Sequence, residues 1–184
     1  MSELPEPAPP YSGEGPRALW HVSEDPAIER FVPHHRPLHA NDEPLVYAVD
    51  TRHLPLYWFP RDCPRACFWA NGETSDDDVG AWLDGDRLRR VHAIESSWLE
   101  RMRTAPVFAY RLPDETFEPW DRFFVSRETV DPVEVVPLGD LLARHAEARI
   151  ELRIAPALHP LWDRVTASTL DFSGIRLRNA TLSA

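Results

Sequence analysis

The chain has 184 residues, a formal net charge of −10, 43% hydrophobic residues and 27% charged residues. This composition is typical of a globular protein, and the length suits a single domain with a sizeable core. An acidic chain lacks the basic surface that a general nucleic-acid partner needs. All 20 basic residues are arginine, which excludes a lysine nucleophile, a lysine Schiff base and the lysine of a P-loop.

The N-terminal residues and the two cysteines indicate the cellular compartment in which we expect the protein. Met1 to Glu6 has neither the basic stretch nor the apolar stretch of a secretory signal, and no apolar run approaches the ~20 residues of a membrane helix. Cys63 and Cys67 are too few for a disulfide framework, and their spacing alone gives weak support for a metal site. We therefore expect reduced cysteines in a cytoplasmic protein with no membrane partner.

Apolar and turn patterns predict an α+β fold with mixed, mainly antiparallel sheets and short helices. Residues 1–16 are rich in proline and predict a disordered or loosely attached tail, and 17–184 predict one domain. Strands are predicted near 17–23, 45–49, 66–69, 89–95, 107–112, 123–126, 133–136 and 150–154. Helices between them are predicted to end near 31, 58, 83, 103, 148 and 170, with a turn-rich connector at 113–119 and a polar ending at 171–184.

The first predicted strand, Leu19-Trp20-His21-Val22-Ser23, carries polar groups at its C-terminal end. Strand alternation puts His21 and Ser23 on one face. Two such side chains on a core strand need partners, because an unpaired buried polar group costs roughly 1–3 kcal/mol. The partners are either other protein groups, which makes His21 a structural histidine, or a ligand.

A histidine-rich loop follows between residues 33 and 42. Its three imidazoles, His34, His35 and His39, are close enough in sequence to bind Zn²⁺, but no acid or cysteine lies at a familiar ligand spacing. We favour a loop that borders a ligand cleft, with His35 and Arg36 as ligand-binding residues, and we expect no structural metal there.

Two glutamates and two arginines are further candidates. Glu95 and Glu128 each lie at the end of a predicted strand, where a carboxylate can act as a general base or stabilise developing positive charge. We prefer Glu128, because Glu95 adjoins two serines and looks like a helix-start acid. Alternation predicts that Arg176 and Arg178 lie on one side, either as a phosphate clamp or as partners of carboxylates. No GxSxG, HExxH, GxGxxG or Walker sequence is present.

Across residues 19–180 the chain resembles a bacterial domain family of unknown function. The matching stretches are LWHVSEDPAIERF, LVYAVDTRHLPLYWFPRDCPR, AIESSWLERM, VSRETVDPVEVVPLGDLL and STLDFSGIRLRNA. This resemblance implies no particular activity.

More distantly, the order of elements resembles the ADP-ribosyltransferase fold of the histidine–tyrosine–glutamate type. The segments that carry the resemblance are Trp20 to Ser23, Val46 to Asp50 and Ser126 to Glu128. It implies that His21 binds the nicotinamide-side ribose of NAD, that Tyr47 stacks on the nicotinamide in the cleft of His21, and that Glu128 supports an oxocarbenium-like transition state. Val22 stands where that class often has glycine, and no second carboxylate lies two residues before Glu128.

Three functions stay open from the sequence. The first is an ADP-ribosyltransferase-like domain that binds NAD or a related nucleotide and transfers or hydrolyses ADP-ribose, with His21, Tyr47 and Glu128 as catalytic residues. The second is a non-catalytic module that binds a nucleotide or a protein on the same scaffold. The third is a metal-dependent hydrolase that uses the histidine loop. No cofactor is assigned from the residues themselves. NAD is considered only because the resemblance implies it as a substrate.

Overall fold

The structure is a computed structural model that describes residues 18–35, 43–84 and 90–181. The predicted tail, Arg36 and His39 lie outside these residues. The described chain is α+β with mostly antiparallel sheets, as the sequence predicts. Its strands are β1 Leu19–Ser23, β2 Val46–Asp50, β3 Arg65–Trp69, β4 Arg90–Glu95, β5 Phe108–Leu112, β6 Glu118–Trp120, β7 Phe123–Ser126, β8 Glu134–Pro137, β9 Ile150–Ala155 and β10 Asp171–Ile175.

The helices are short. Among the described residues, the α-helices are α1 Asp76–Leu83, α2 Leu99–Thr104, α3 Leu141–Glu147 and α4 His159–Thr166, and 3-10 helices lie at Leu54–Tyr57, Ser96–Trp98 and Leu177–Asn179. None of the helices in the described ranges is both long and apolar enough to cross a membrane.

Contacts between residues divide the chain into two compact units. Unit 1 is built from Phe59–Ala105 and Gly139–Ala184, and unit 2 from Pro10–Trp58 and Pro106–Leu138, in each case through their described residues. Each unit has its own sheet. The single domain that we expect over 17–184 stays a prediction.

Unit 2 contains a six-stranded antiparallel sheet in the order β6-β7-β2-β1-β5-β8. Alternation along the strands gives the sheet two apolar faces. One face, called face A here, carries a buried cluster that includes Val46, Ala48 and Tyr110. The opposite face, face B, carries a second cluster that includes Leu45 and Tyr47.

Unit 1 contains a four-stranded sheet in the order β10-β3-β4-β9, in which β4 and β9 are parallel and the other pairs antiparallel. Apolar side chains of α1 and α4 cover one of its faces, where Trp82 and Val165 pack with Phe68 and Val91. Ser75 caps α1, since its hydroxyl accepts a hydrogen bond from the amide of Asp78, and the three aspartates form the first turn of the helix.

Three predicted elements are wrong. Residues 24–30 form bends rather than a helix, because Ser23 Oγ accepts from the amide of Asp25 and Asp25 Oδ1 from that of Ala27, which gives the backbone an alternative to helical bonds. Strand β6 lies in the predicted connector, and β10 lies in the predicted polar ending. Both were missed because β6 is short and exposed and β10 contains Asp, Ser and Gly, which are poor strand signals.

Candidate functional site

The candidate site lies where two strands of unit 2 end. Strands β1 and β7 both pair antiparallel with β2, so they run parallel to each other and their C-terminal ends meet at one edge of the sheet. His21 and Ser23 lie at the end of β1, and Ser126 ends β7, two residues before Glu128. We call this edge, with His21, Ser23, Phe31, Ser126 and Glu128, the His21 edge.

His21 is half-buried and held in one orientation. Its Nδ1 lies 3.0 Å from the backbone oxygen of Tyr47, and because a carbonyl only accepts, Nδ1 carries the proton and donates. On the other side, the Phe31 ring lies 4.7 Å from the imidazole, centroid to centroid. When the imidazole is neutral and Nδ1 carries its proton, Nε2 is the acceptor nitrogen. In this tautomer Nε2 is suited to accept a proton or a hydrogen bond from a hydroxyl group.

The segment that follows Glu128 holds Phe31 in position. Its backbone pairs with Val130 through N–O distances of 2.8 and 2.9 Å. This short bridge ties the loop after β1 to the loop after β7, and an ion pair between Arg30 and Asp131 lies beside it. The two loops that carry the candidate residues are therefore joined directly.

Ser126 and Glu128 form a hydroxyl-capped turn. Ser126 is fully buried, and its Oγ accepts from the amide of Glu128 at 3.1 Å and donates to Thr116 Oγ1 at 2.9 Å. The side chain of Glu128 is exposed. Ser126 pairs with Val46 and His21 with Tyr110, both of which belong to the cluster on face A, so His21 and Ser126 share that face.

The Tyr47 ring does not line the same cleft as His21, and this expectation needs correction. Tyr47 pairs with Val125 and belongs to the cluster on face B, where its ring lies 5.7 Å from that of Trp120 and 6.1 Å from that of Phe123. Successive strand residues point to opposite faces, and Trp20, not His21, pairs with Val49 on the face of Tyr47. Tyr47 contacts His21 through its backbone carbonyl, which accepts the hydrogen bond from Nδ1.

The remaining predicted ligand residues lie elsewhere. His34 and His35 are exposed; His34 pairs through its backbone with Leu45, and its ring faces Tyr47 at 6.4 Å, on face B. Ser23 is used within the chain, as the acceptor for Asp25. In the part of the chain that the structure describes, no three histidine, cysteine or acidic side chains are grouped as metal ligands.

The predicted arginine clamp belongs to unit 1. Strand alternation does not apply there, because Arg176 has a left-handed backbone with φ of 56° and Arg178 lies in a 3-10 helix. Arg176 Nε lies 3.3 Å from Asp62 Oδ1, so it has the carboxylate partner that we considered as the alternative. A ligand-binding role for the two arginines stays a prediction.

Glu95 is a buried structural acid in unit 1. Only 2% of its surface is exposed, and it accepts hydrogen bonds from the amides of Leu158 and Thr181 and from the Thr181 hydroxyl, at 2.9–3.2 Å. It does not cap the 3-10 helix that follows it, so the helix-start role that we expected is wrong. The preference for Glu128 as the functional acid stays a prediction.

A groove on face B of unit 2 was not predicted from the sequence. It is lined by Glu43, Leu45, Glu118, Pro119, Trp120, Val125 and Arg127 and has a volume of about 240 Å³. Arg127 pairs with both Glu43 and Glu118, and 41% of Trp120 is exposed. These residues lie in or next to β2, β6 and β7. The signal for the groove in the sequence was the segment Glu118-Pro119-Trp120, in which proline and tryptophan follow an acidic residue.

Comparison with known proteins places the chain in a family. Residues 20–180 match the profile of a family of unknown function, DUF6886. Because this match covers most of the chain, the protein belongs to that family, which confirms the resemblance to an uncharacterised domain. Neither the curated proteins nor the solved structures gave a match.

Proposed function

We propose that the chain binds NAD or a related nucleotide at the His21 edge and transfers or hydrolyses its ADP-ribose. The observation that carries the proposal is the meeting of β1 and β7 at one edge, with His21 and Ser126 on one face and Glu128 in the turn that follows. The resemblance to ADP-ribosyltransferases implies that a first-strand histidine and the glutamate after Ser126 act on one ligand, and the proposal is supported by the two strands that lead to them, which lie on either side of β2.

The chemistry suits these residue types. Cleavage of the nicotinamide–ribose bond develops positive charge on the sugar, which a carboxylate stabilises, and Glu128 is the exposed carboxylate of this edge. With Nδ1 of His21 donating to Tyr47, Nε2 is the atom that would meet a ribose hydroxyl. Since the Tyr47 ring lies on face B, the aromatic ring beside His21 is that of Phe31, which is buried in the cluster on face A and packs against His21 rather than stacking on the nicotinamide.

Calorimetric titration with NAD and ADP-ribose tests the proposal. His21→Asn keeps a side-chain N–H for the Tyr47 carbonyl but removes Nε2, so we expect binding to weaken about 3–10-fold, the loss of one hydrogen bond. Glu128→Gln should leave binding within about threefold and lower NAD cleavage by about 10²–10³-fold, as for removal of one charge-stabilising group.

Glu115→Gln is the matched control, because Glu115 is also an exposed acid of unit 2; its binding and cleavage should equal those of the wild type. Wild-type protein that binds neither NAD nor ADP-ribose would refute the proposal. Binding without any cleavage would leave the nucleotide-binding module, the second function that the sequence allows.

The groove on face B favours a second candidate function, a non-catalytic binding module. A partly exposed tryptophan in a groove that also holds Glu43 and Glu118, both paired with Arg127, suits a cationic group on a partner, which would stack on the indole and compete with Arg127 for a carboxylate. Trp120→Ala in the same titrations separates the two sites, since it should leave nucleotide binding at the His21 edge unchanged.

A further inference from the structure

A second pair of imidazoles is buried in unit 1. His92 lies in the middle of β4 and His145 in α3, and both are almost fully buried, with 0% and 1% of their surfaces exposed. Nδ1 of His92 lies 3.1 Å from Nε2 of His145. Nδ1 of His145 in turn lies 2.6 Å from the backbone oxygen of Leu141, one helical turn earlier.

The backbone carbonyl of Leu141 fixes the proton positions in this series of hydrogen bonds, which runs from His92 through His145 to Leu141. The Leu141 oxygen can only accept, so Nδ1 of His145 donates to it. In a neutral His145, Nε2 is then an acceptor, and Nδ1 of His92 must donate to it. A proton on Nε2 of His145 would oppose this donor, and His92 could accept it at Nδ1 only by moving its own proton to the buried Nε2.

Protonation of His92 is equally unfavourable. Its Nε2 is buried, and among the residues that the structure describes it has no hydrogen-bond partner. A proton there would be a buried donor without an acceptor, on a ring that would also carry a charge, and such groups are costly inside a protein.

The groups around the pair oppose a positive charge. On the same sheet face, β3 contributes Cys67, the cross-strand partner of His92, and Arg65, while β4 contributes Arg90 and β9 the uncharged Leu152. Burial, the second imidazole and the two arginines hold the pKa of His92 well below its usual value. Burial raises the pKa of the Cys67 thiol to about 12, so this neighbour is uncharged.

The helix side is similar. Burial lowers the pKa of His145 to about 4 even though its bond to the Leu141 carbonyl acts in the opposite direction, and Arg144 lowers it further. Helix α2, which packs against α3, turns Met102 inward and leaves its charged residues Glu100, Arg101 and Arg103 exposed. The Phe59 ring covers both imidazoles, at 5.5 and 5.1 Å.

Helix α3 packs against β9 and α2 but has few buried side chains. It is seven residues long, and its buried residues are Leu141 and His145. One of these two contacts is therefore the imidazole that pairs with His92. A helix this short is not stable without its packed face, so loss of the His145 contact would free α3 before the sheet is disturbed.

We propose that the His92–His145 pair is an acid-sensitive latch, which holds α3 on β4 while both rings are neutral and releases it when a proton enters the pair. The sign follows from the lowered pKa values of both rings. The latch holds fully above the unfolded-state value of about 6.5 and is lost progressively as the pH falls from there toward about 4.

Amide hydrogen exchange of the full chain, followed between pH 7 and pH 5 and corrected for intrinsic exchange rates, tests the latch. In the wild type we expect the protection of α3 to fall by up to about a hundredfold per pH unit, tenfold for each proton taken up on release, while the amides of β4 keep theirs. The double variant His92→Asn/His145→Gln keeps a donor and an acceptor in place of the two rings and cannot titrate there, so α3 should lose this pH dependence.

His159→Asn is the control, because it removes a histidine of unit 1 outside the pair and should behave like the wild type. If the double variant fails to fold, nitrogen-15 spectra of the wild type decide: His145 should show the Nδ1–H form and stay neutral at pH 5.5. A His145 that titrates near pH 6.5 in the folded protein, or an unchanged pH dependence in a folded double variant, would overturn the proposal.

Discussion

His21 on β1 and His92 on β4 each lie within a strand of a central sheet, yet their surroundings differ. His21 is half-buried at the end of its strand and is held on one side by a backbone carbonyl. His92 is fully buried and bonded to a second imidazole. The same side chain thus stands at an accessible edge in unit 2 and inside the packed core of unit 1.

The two glutamates repeat this contrast. Glu128 is exposed in a turn of unit 2, whereas Glu95 is buried in unit 1 among hydrogen-bond donors. A group that can meet a ligand must keep part of its surface accessible, and a group that meets only protein donors serves stability. Burial and partners therefore leave Glu128 accessible to a ligand and give Glu95 a structural role, although the two residues look alike in sequence.

The largest expected effect tests this contrast directly. Glu95→Ala would leave the Leu158 and Thr181 amides and the Thr181 hydroxyl without their acceptor, so we expect the free energy of unfolding to fall by about 3 kcal/mol. Glu128→Ala should change it by less than about 0.5 kcal/mol, as for an exposed residue. Urea denaturation of both variants measures the difference, and equal losses would break the comparison.

Much of the fold was predictable, because buried strands have a local signal. Apolar runs such as Leu45 to Val49 and Val107 to Leu112 marked strands that the structure contains, and His21 and Glu128 were both expected at strand ends. What failed depends on distant residues. Whether Tyr47 and His21 share a face is set by the pairing register of β1 and β2, and two strands joined by a long connection rather than a tight hairpin turn leave no local signal of that register.

Glu95 shows the same limit for a single side chain. Its partners lie 63 and 86 residues away in sequence, so its neighbours Ser96 and Ser97 suggested a helix cap that the structure does not use. The His92–His145 pair, separated by 53 residues, was likewise invisible, since neither histidine belongs to a motif.

A second prediction concerns packing in unit 1. A methyl group added at Gly174 of β10 would lie 2.6 Å from Leu177 Cδ1 and 2.7 Å from Trp162 Cη2, and the Trp162 ring is itself packed against Phe172. We expect Gly174→Ala to lower the free energy of unfolding by about 1–2 kcal/mol through overpacking. Thermal denaturation measures this.

The matched control is Gly72→Ala in the same unit, where the added methyl group meets nothing within 4 Å. That variant should stay within about 0.5 kcal/mol of the wild type. If both glycines tolerate alanine equally, the contact surface of β10 is looser than the structure indicates, and the contrast between a packed unit 1 and an accessible edge in unit 2 weakens.

The smallest effect is expected at the start of α3, the helix that the histidine pair holds. Asp140 Oδ1 accepts from the amides of Leu142 and Ala143 at 2.9 and 3.1 Å, and loss of such a cap typically costs about 1 kcal/mol. Asp140→Ala should therefore lower the exchange protection of α3 about fivefold at pH 7, with β1 and β7 in unit 2 unaffected. Asp140→Asn, which keeps the capping oxygen, should match the wild type.

Because the cap and the histidine pair hold opposite ends of the same short helix, Asp140→Ala should also make α3 open at a higher pH than in the wild type. An α3 that opens at the same pH in both proteins would mean that the two contacts do not stabilise the same structural element.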